Sequence, residues 1–286
     1  MSIWESDYQY LIDDLDIDTA DHWTDWDWKK VMPMISYEFA RLEEYRDRII
    51  VAFRLYNLIG LEHLRRELGG VSKNARILDA GGGTGRKAIP LAREGFNNIT
   101  VLDHAEGWLR LAEEKAESAG VSDRLKIVKG DILDMSDFPD NSFDHVFSMG
   151  GAVVYCGNPG RALKEMARIL KPGGKMIADG IHNTLGAMHL FAINGDLESL
   201  EKAAVNNSQH SGIVSMLPEE LEKDASAAGF CNIRVLSECI FTPDDSIRTG
   251  TDTKRWEQIV IDLEMKHCND PRFLGAGGLM VTGERE

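Results

Sequence analysis

The sequence predicts an α/β fold: a doubly wound, mostly parallel seven-stranded sheet with an antiparallel edge strand, plus helical N-terminal and inserted lid segments. Three observations predict it. Strand and helix patterns alternate from Arg76 to Gly180. A glycine cluster follows the first of those strands. Outside this stretch the pattern is helical, apart from two closing strands.

Taken in order, Tyr37 to Gly69 carries apolar residues at three- and four-residue spacing and stops at Gly69-Gly70, which reads as helix. An acidic, aromatic stretch with Trp4, Trp23, Trp26 and Trp28 precedes it. Arg76–Ala80, Asn98–Asp103, Leu125–Gly130, Phe143–Met149 and Lys175–Asp179 read as short apolar strands. Between them, Lys87–Glu94, Glu106–Ala119 and Arg161–Leu170 read as helices, the last ended by the turn Lys171-Pro172-Gly173-Gly174. Parallel neighbours need such crossovers, and right-handed βαβ units follow. Leu185–Val205, Pro218–Ala228 and Trp256–Lys266 read as helices, and Phe230–Phe241 and Gly278–Gly283 as the closing strands. The expected organisation is a helical extension or lid over 1–70 and one α/β domain over 71–286, with helical insertions at about 184–216 and 243–272.

Composition bounds the partners. A formal net charge of -15 over 286 residues repels phosphate backbones, so no nucleic-acid partner is expected. No apolar run is long enough to span a bilayer, and no membrane partner is expected. The N-terminal MSIWESDYQY lacks the basic and apolar regions of a signal peptide. Cys156, Cys231, Cys239 and Cys268 form no CxxC pair, which fits a reduced, cytoplasmic protein. Oligomeric state is not legible.

The chemistry concentrates in Asp79-Ala80-Gly81-Gly82-Gly83-Thr84-Gly85, set between a strand and a helix. Missing side chains let a ligand approach the backbone there, and the next helix offers free N–H groups. A nicotinamide G-x-G-x-x-G fails because position 86 is Arg, and a P-loop spacing fails as well. What remains is D-x-G-x-G-x-G, or a plain glycine turn. Asp103 ends the second strand, where a carboxylate serves both hydroxyls of a ribose or caps a helix. Asp131-Ile132 follows the third strand, where Asp131 is also a turn former.

This ordered set resembles the class I, Rossmann-like S-adenosylmethionine-dependent methyltransferases of small-molecule type, well from Arg76 to Gly180 and weakly over the closing strands. The resemblance implies S-adenosyl-L-methionine as co-substrate and S-adenosyl-L-homocysteine as product. It places Asp79 and Gly81 at the methionine end of the cofactor, with Gly83 and Gly85 lining the loop beneath. It places Asp131 at the adenine amino group, Ile132 on the ring, and Ser148 to Gly151 beside the methyl group. His104 follows Asp103 and is expected to touch cofactor. Tyr155 and His182 lie just beyond the fourth and fifth strands and are the candidate catalytic bases, against a packing role for Tyr155 and a loop role for His182. No metal is expected, because Ser148 and Met149 stand where a second carboxylate ligand is needed. Trp23, Trp26 and Trp28 either cage a cationic amine or pack on the domain. The expected function is methyl transfer to a small-molecule acceptor by in-line displacement. A protein-substrate methyltransferase and an inactive cofactor-binding regulatory subunit are the alternatives.

Overall fold

A strand buried on both faces reads as a continuous apolar run, and Ile77-Leu78-Asp79-Ala80 is such a run. In the computed structural model it is β1 (Ile77–Ala80), buried at every position. The structure describes residues 50–183, 209–210, 213–242, 253–274 and 277–286, together with Tyr37, Ala40, Arg41 and Glu44. For 180–183, 209–210 and 213–215 it describes the backbone alone.

β1 pairs in parallel with β2 (Ile99–Asp103) on one side and with β4 (Phe143–Ser148) on the other. β3 (Leu125–Lys129) extends β2, and β5 (Leu170–Asn183) extends β4, again in parallel. β9 (Gly278–Arg285) runs antiparallel to β5, and β8 (Phe230–Glu238) runs antiparallel to β9. The main sheet is thus β3-β2-β1-β4-β5-β9-β8. The predicted antiparallel strand is β9, one place in from the β8 edge.

Side chains of adjacent residues leave a strand on opposite faces. Leu78, Val146, Met176, Ala178, Leu279 and Val281 enter one core cluster with α5 (Pro159–Ile169) and α6 (Pro218–Ala227). Their neighbours Ile77, Phe147, Ile177 and Met280 enter the other, beneath α2 (Ala88–Arg93) and α3 (Glu106–Ser118). The sheet is therefore covered on both sides. Local signals set the helix ends. Asn158 caps α5 by accepting from the Arg161 N–H at 3.1 Å, with Pro159 at the first helical position.

Four readings change. The helical run from Tyr37 to Gly69 is interrupted, because Ile50 is extended and α1 is Val51–Glu67. The Lys171–Gly174 turn lies inside β5: Leu170 pairs with Phe143, and the ladder shifts register before His145 pairs with Lys175. The insertion expected to be helical to residue 216 ends as a hairpin, β6 (Gln209–His210) against β7 (Ile213–Met216). β8 stops at Glu238, since Cys239 turns to φ +60. The helix expected over Leu185–Val205 and the early tryptophans lie outside the described residues. The closing insertion does contain a helix, α7 (Thr253–His267).

α1 is held at both ends of its length. Its Val51, Leu55 and Ile59 pack with Val260 and Met265 of α7 as a separate apolar cluster. At its C-terminus, Lys175 donates to the Glu67 carbonyl at 3.0 Å, where the helix dipole favours a cation. Leu55→Ala empties the α1–α7 cluster and is expected to destabilise it by about 2–5 kcal/mol in urea unfolding. Amide exchange should then rise in α1 and α7 together, with β1 and β4 still protected.

Candidate active site

The carboxyl ends of β1, β2, β4 and β5 meet at one edge of the sheet. β1 is the point where strand order reverses, and an open α/β sheet has its ligand crevice there. The glycine loop leaves β1 and is tied back to β2, with the Gly81 and Gly82 N–H groups donating to the Leu102 carbonyl at 2.7 and 3.0 Å. Gly81 has φ +76, and a β-carbon there would stand 2.2 Å from the Ala152 β-carbon. Gly83 has φ +52 and lies under the Trp108 ring. Neither position admits a side chain.

Asp103 braces this loop. One carboxylate oxygen accepts from the Gly83 N–H at 2.9 Å and the other from the Ala105 N–H at 2.9 Å. Burial raises its pKa, and these amides and the nearby His104, 3.6 Å away, oppose the rise. Each oxygen keeps a further lone pair for a ligand. Asp131 is exposed and accepts from the Leu133 N–H at 2.8 Å, the expected turn. Ile132 is part of the core beneath it, beside Met135 and Phe138. Ser148 ends β4 fully buried, and its hydroxyl has no hydrogen-bond partner among the described residues.

Asp79 is 1% exposed. Burial pushes its carboxyl well above the usual range, Lys87 pulls it back, and Asp103 and Asp179 add repulsion. Asp179, at 0% exposure, accepts from the Gly150 N–H at 2.5 Å and from the Tyr56 hydroxyl at 3.3 Å. Its carboxyl is also raised by burial, with Lys87 and the Gly150 amide opposing. α1 roofs these groups. Lys87 donates to the Asn57 carbonyl at 2.7 Å. A β-carbon on Gly60 would meet the Lys87 ammonium at 3.0 Å, the Met149 methyl at 3.1 Å and an Asp179 oxygen at 3.2 Å.

Sequence reasoning missed Tyr56, Gly60, Lys87 and Trp108, and placed Asp179 only at the end of the fifth predicted strand. The one available signal was Gly60, a glycine inside an apolar helix where alanine is favoured by about 1 kcal/mol. Tyr155 sits on the short helix α4 (Ala152–Tyr155) at 54% exposure, so it is not a core residue. His182 lies at the far end of β5, paired with Ser215 of β7, and its side chain is outside the described part. Among the described residues no cluster of three or more His, Cys, Asp or Glu is arranged to hold a metal ion.

Residues 78–178 match the family model described as a methyltransferase domain. The chain is 30% identical over 220 residues to the demethylmenaquinone methyltransferase of Staphylococcus aureus, covering 73% of this chain and 86% of that protein. The chain belongs to the S-adenosylmethionine-dependent methyltransferases. It is also 35% identical over 113 residues to the sterol 24-C-methyltransferase of Aspergillus fumigatus, covering 40% of this chain and 29% of that one. The match thus spans less than a third of the sterol methyltransferase. A Thermotoga maritima methyltransferase structure, described as a possible histamine N-methyltransferase, has a TM-score of 0.56 at 20% identity, covering 89% of this chain and all of that one. The methyltransferase of the Haloferax volcanii complex with its Trm112 activator has a TM-score of 0.57 at 20% identity, with 89% and 97% covered. Both share the methyltransferase fold described above. The glycine cradle, the lone pairs left on Asp103 and the Ser148 hydroxyl, unpartnered among the described residues, fit the family's cofactor.

The raised Asp79 carboxyl makes a prediction independent of any ligand. A carboxyl whose folded pKa is raised contributes stability below its unfolded value and loses it as pH climbs through the folded value. Asp79→Asn cannot ionise. Its melting temperature should equal the parent's near pH 4 and exceed it at pH 8, by about 2–4 °C per kcal/mol in a domain of this size.

Proposed function

We propose that this chain is an enzyme that transfers the methyl group of S-adenosylmethionine to a small-molecule acceptor at the carboxyl edge of the sheet. The observation that carries the reading is the glycine loop after β1, braced through Gly83 by the carboxylate that ends β2. The cofactor supplies a methyl group on a sulfonium, an intrinsically good leaving group, and the protein contributes orientation, enclosure and electrostatics.

In this reading Asp103 accepts from the ribose hydroxyls, with His104 alongside. Asp131 serves the adenine amino group and Ile132 supports the ring. Asp79 and Gly81 face the methionine end, over the loop of Gly83 and Gly85, and Ser148 lies near the transferred methyl. Holding acceptor and donor in line removes up to about 7–11 kcal/mol of barrier in favourable cases. Where the acceptor must lose a proton, Tyr155 and His182 are the candidate bases. α1 covers the site.

The small-molecule acceptor is supported by relatives whose names specify a sterol and a demethylmenaquinone. The charge of -15 speaks against nucleic acid. No helix among the described residues is long and apolar enough to cross a membrane. All four cysteines are free thiols, in keeping with a cytoplasmic setting.

Calorimetry with S-adenosylhomocysteine tests the cofactor site. The expected affinity is micromolar, about −8 kcal/mol, and Asp103→Ala should weaken it about 100-fold by removing two charge-assisted acceptors. Methyl-labelled S-adenosylmethionine offered with hydroquinones and sterols then tests transfer. Absence of binding by the unmutated protein would overturn the reading.

A further inference from the structure

The glycine loop is gripped from outside the domain core. Glu44 stands forty residues ahead of Thr84 and is helical, as are Tyr37, Ala40 and Arg41. One Glu44 oxygen accepts from the Thr84 hydroxyl at 2.5 Å, from Lys115 at 2.6 Å and from the Arg86 Nε at 3.0 Å. Lys115 also donates to the Thr84 hydroxyl at 3.2 Å. Thr84 lies between Gly83 and Gly85 and is buried. The clasp therefore joins three pieces of chain: the N-terminal segment at Glu44, the glycine loop and α3.

Two further facts give the clasp weight. The side chains of Glu44, Arg86 and Lys115 are only 23%, 20% and 28% exposed, so solvent and salt screen them less than surface pairs. Burial pushes the Glu44 carboxyl up, but Lys115 and Arg86 outweigh it and hold it at about 2, so it is ionised at neutral pH. The same N-terminal segment has a second foothold on α3. The Tyr37 hydroxyl donates to Glu114 at 2.8 Å, and the Arg110 guanidinium lies 4.3 Å from the Tyr37 ring centre.

We propose that Glu44 is a positioning residue: its docking sets the glycine loop for S-adenosylmethionine, and bound cofactor in turn holds the N-terminal segment at Glu44 in place. This rests on reading the loop as the cofactor site. Glu44 acts through Thr84 and Arg86. Coupling of two sites through one element is reciprocal, so the affinity lost on releasing Glu44 equals the docking lost on removing cofactor.

The experiment uses the full chain, with Glu44→Gln and Lys115→Met, and S-adenosylhomocysteine as probe. Calorimetry gives affinity, and hydrogen exchange of the amides around Glu44 gives docking, with and without the probe. In the parent protein the probe should bind and should slow exchange around Glu44. Glu44→Gln should weaken binding on the order of 10–100-fold and lose the probe-dependent slowing. Exchange in β1 and β4 should stay near the parent's, while the ligand-free melting temperature falls modestly because Lys115 and Arg86 lose their counter-charge. Lys115→Met should weaken binding in the same direction by less, and it carries the test if Glu44→Gln does not fold. Parent-like affinity in a folded variant, or slowing that persists in Glu44→Gln, overturns the proposal while leaving the cofactor site standing. Failure of the parent to bind the probe removes the cofactor reading and this proposal with it.

Discussion

The arrangement turns on carboxylates kept out of water. Asp79 stands near the end of β1 and Asp179 within the second half of β5, both shielded from solvent. An ionised carboxylate in such a place is tolerated only with compensating charge or hydrogen bonds. Lys87 supplies the charge, the Gly150 amide and the Tyr56 hydroxyl supply hydrogen bonds to Asp179. Each then constrains another part of the chain. Lys87 reaches inward only because α2 starts directly after the glycine loop, and its ammonium fits only because α1 carries glycine at position 60. Gly150 turns its amide to Asp179 from a left-handed backbone conformation, φ +98. A site that strains local rules in this way sacrifices stability for chemistry.

The two-sided burial of the sheet explains why these groups gather at one edge. Alternate residues of β1, β4 and β5 are committed to the two cores, so the strands have no free face along their length. The buried polar side chains of β1, β4 and β5 lie toward their carboxyl ends. β1 has neighbours on both sides whose connections lead away in opposite directions, so the crevice opens beside it. Asp79, Ser148 and Asp179 come from different strands and are gathered there by the topology.

What was legible in the sequence follows the same division. The strands, their order of appearance and the crossover helices were readable because period and turn residues act within a few positions. So was the glycine loop, because only glycine fits at Gly81 and Gly83. Asp103 was readable from its place at a strand end, although its grip on the Gly83 amide was not. The turn placed at Lys171–Gly174 is an irregularity within β5: the chain pairs at Leu170, leaves register with Gly173 at φ +76, and pairs again from Lys175. Glu44, Tyr56 and Lys87 were out of reach. Their partners lie from 30 to 123 residues away, and helical periodicity does not say what a helix covers.

The long β5 divides the sheet edge into a tightly confined part and a loosely held one. Its first part pairs with β4 and β9, and its last two residues pair with β7 instead. The β6–β7 hairpin is thereby fastened beside His182, at the carboxyl end of β5. The cofactor side has no such latitude. The loop between β1 and α2 is confined by Ala152, Trp108 and the Asp103 carboxylate at once, so any added atom displaces several elements. A hairpin held by four residue pairs is under far weaker constraint. Changes in acceptor preference are therefore expected to accumulate in the chain around β6 and β7, while the ends of β1 and β2 stay as they are.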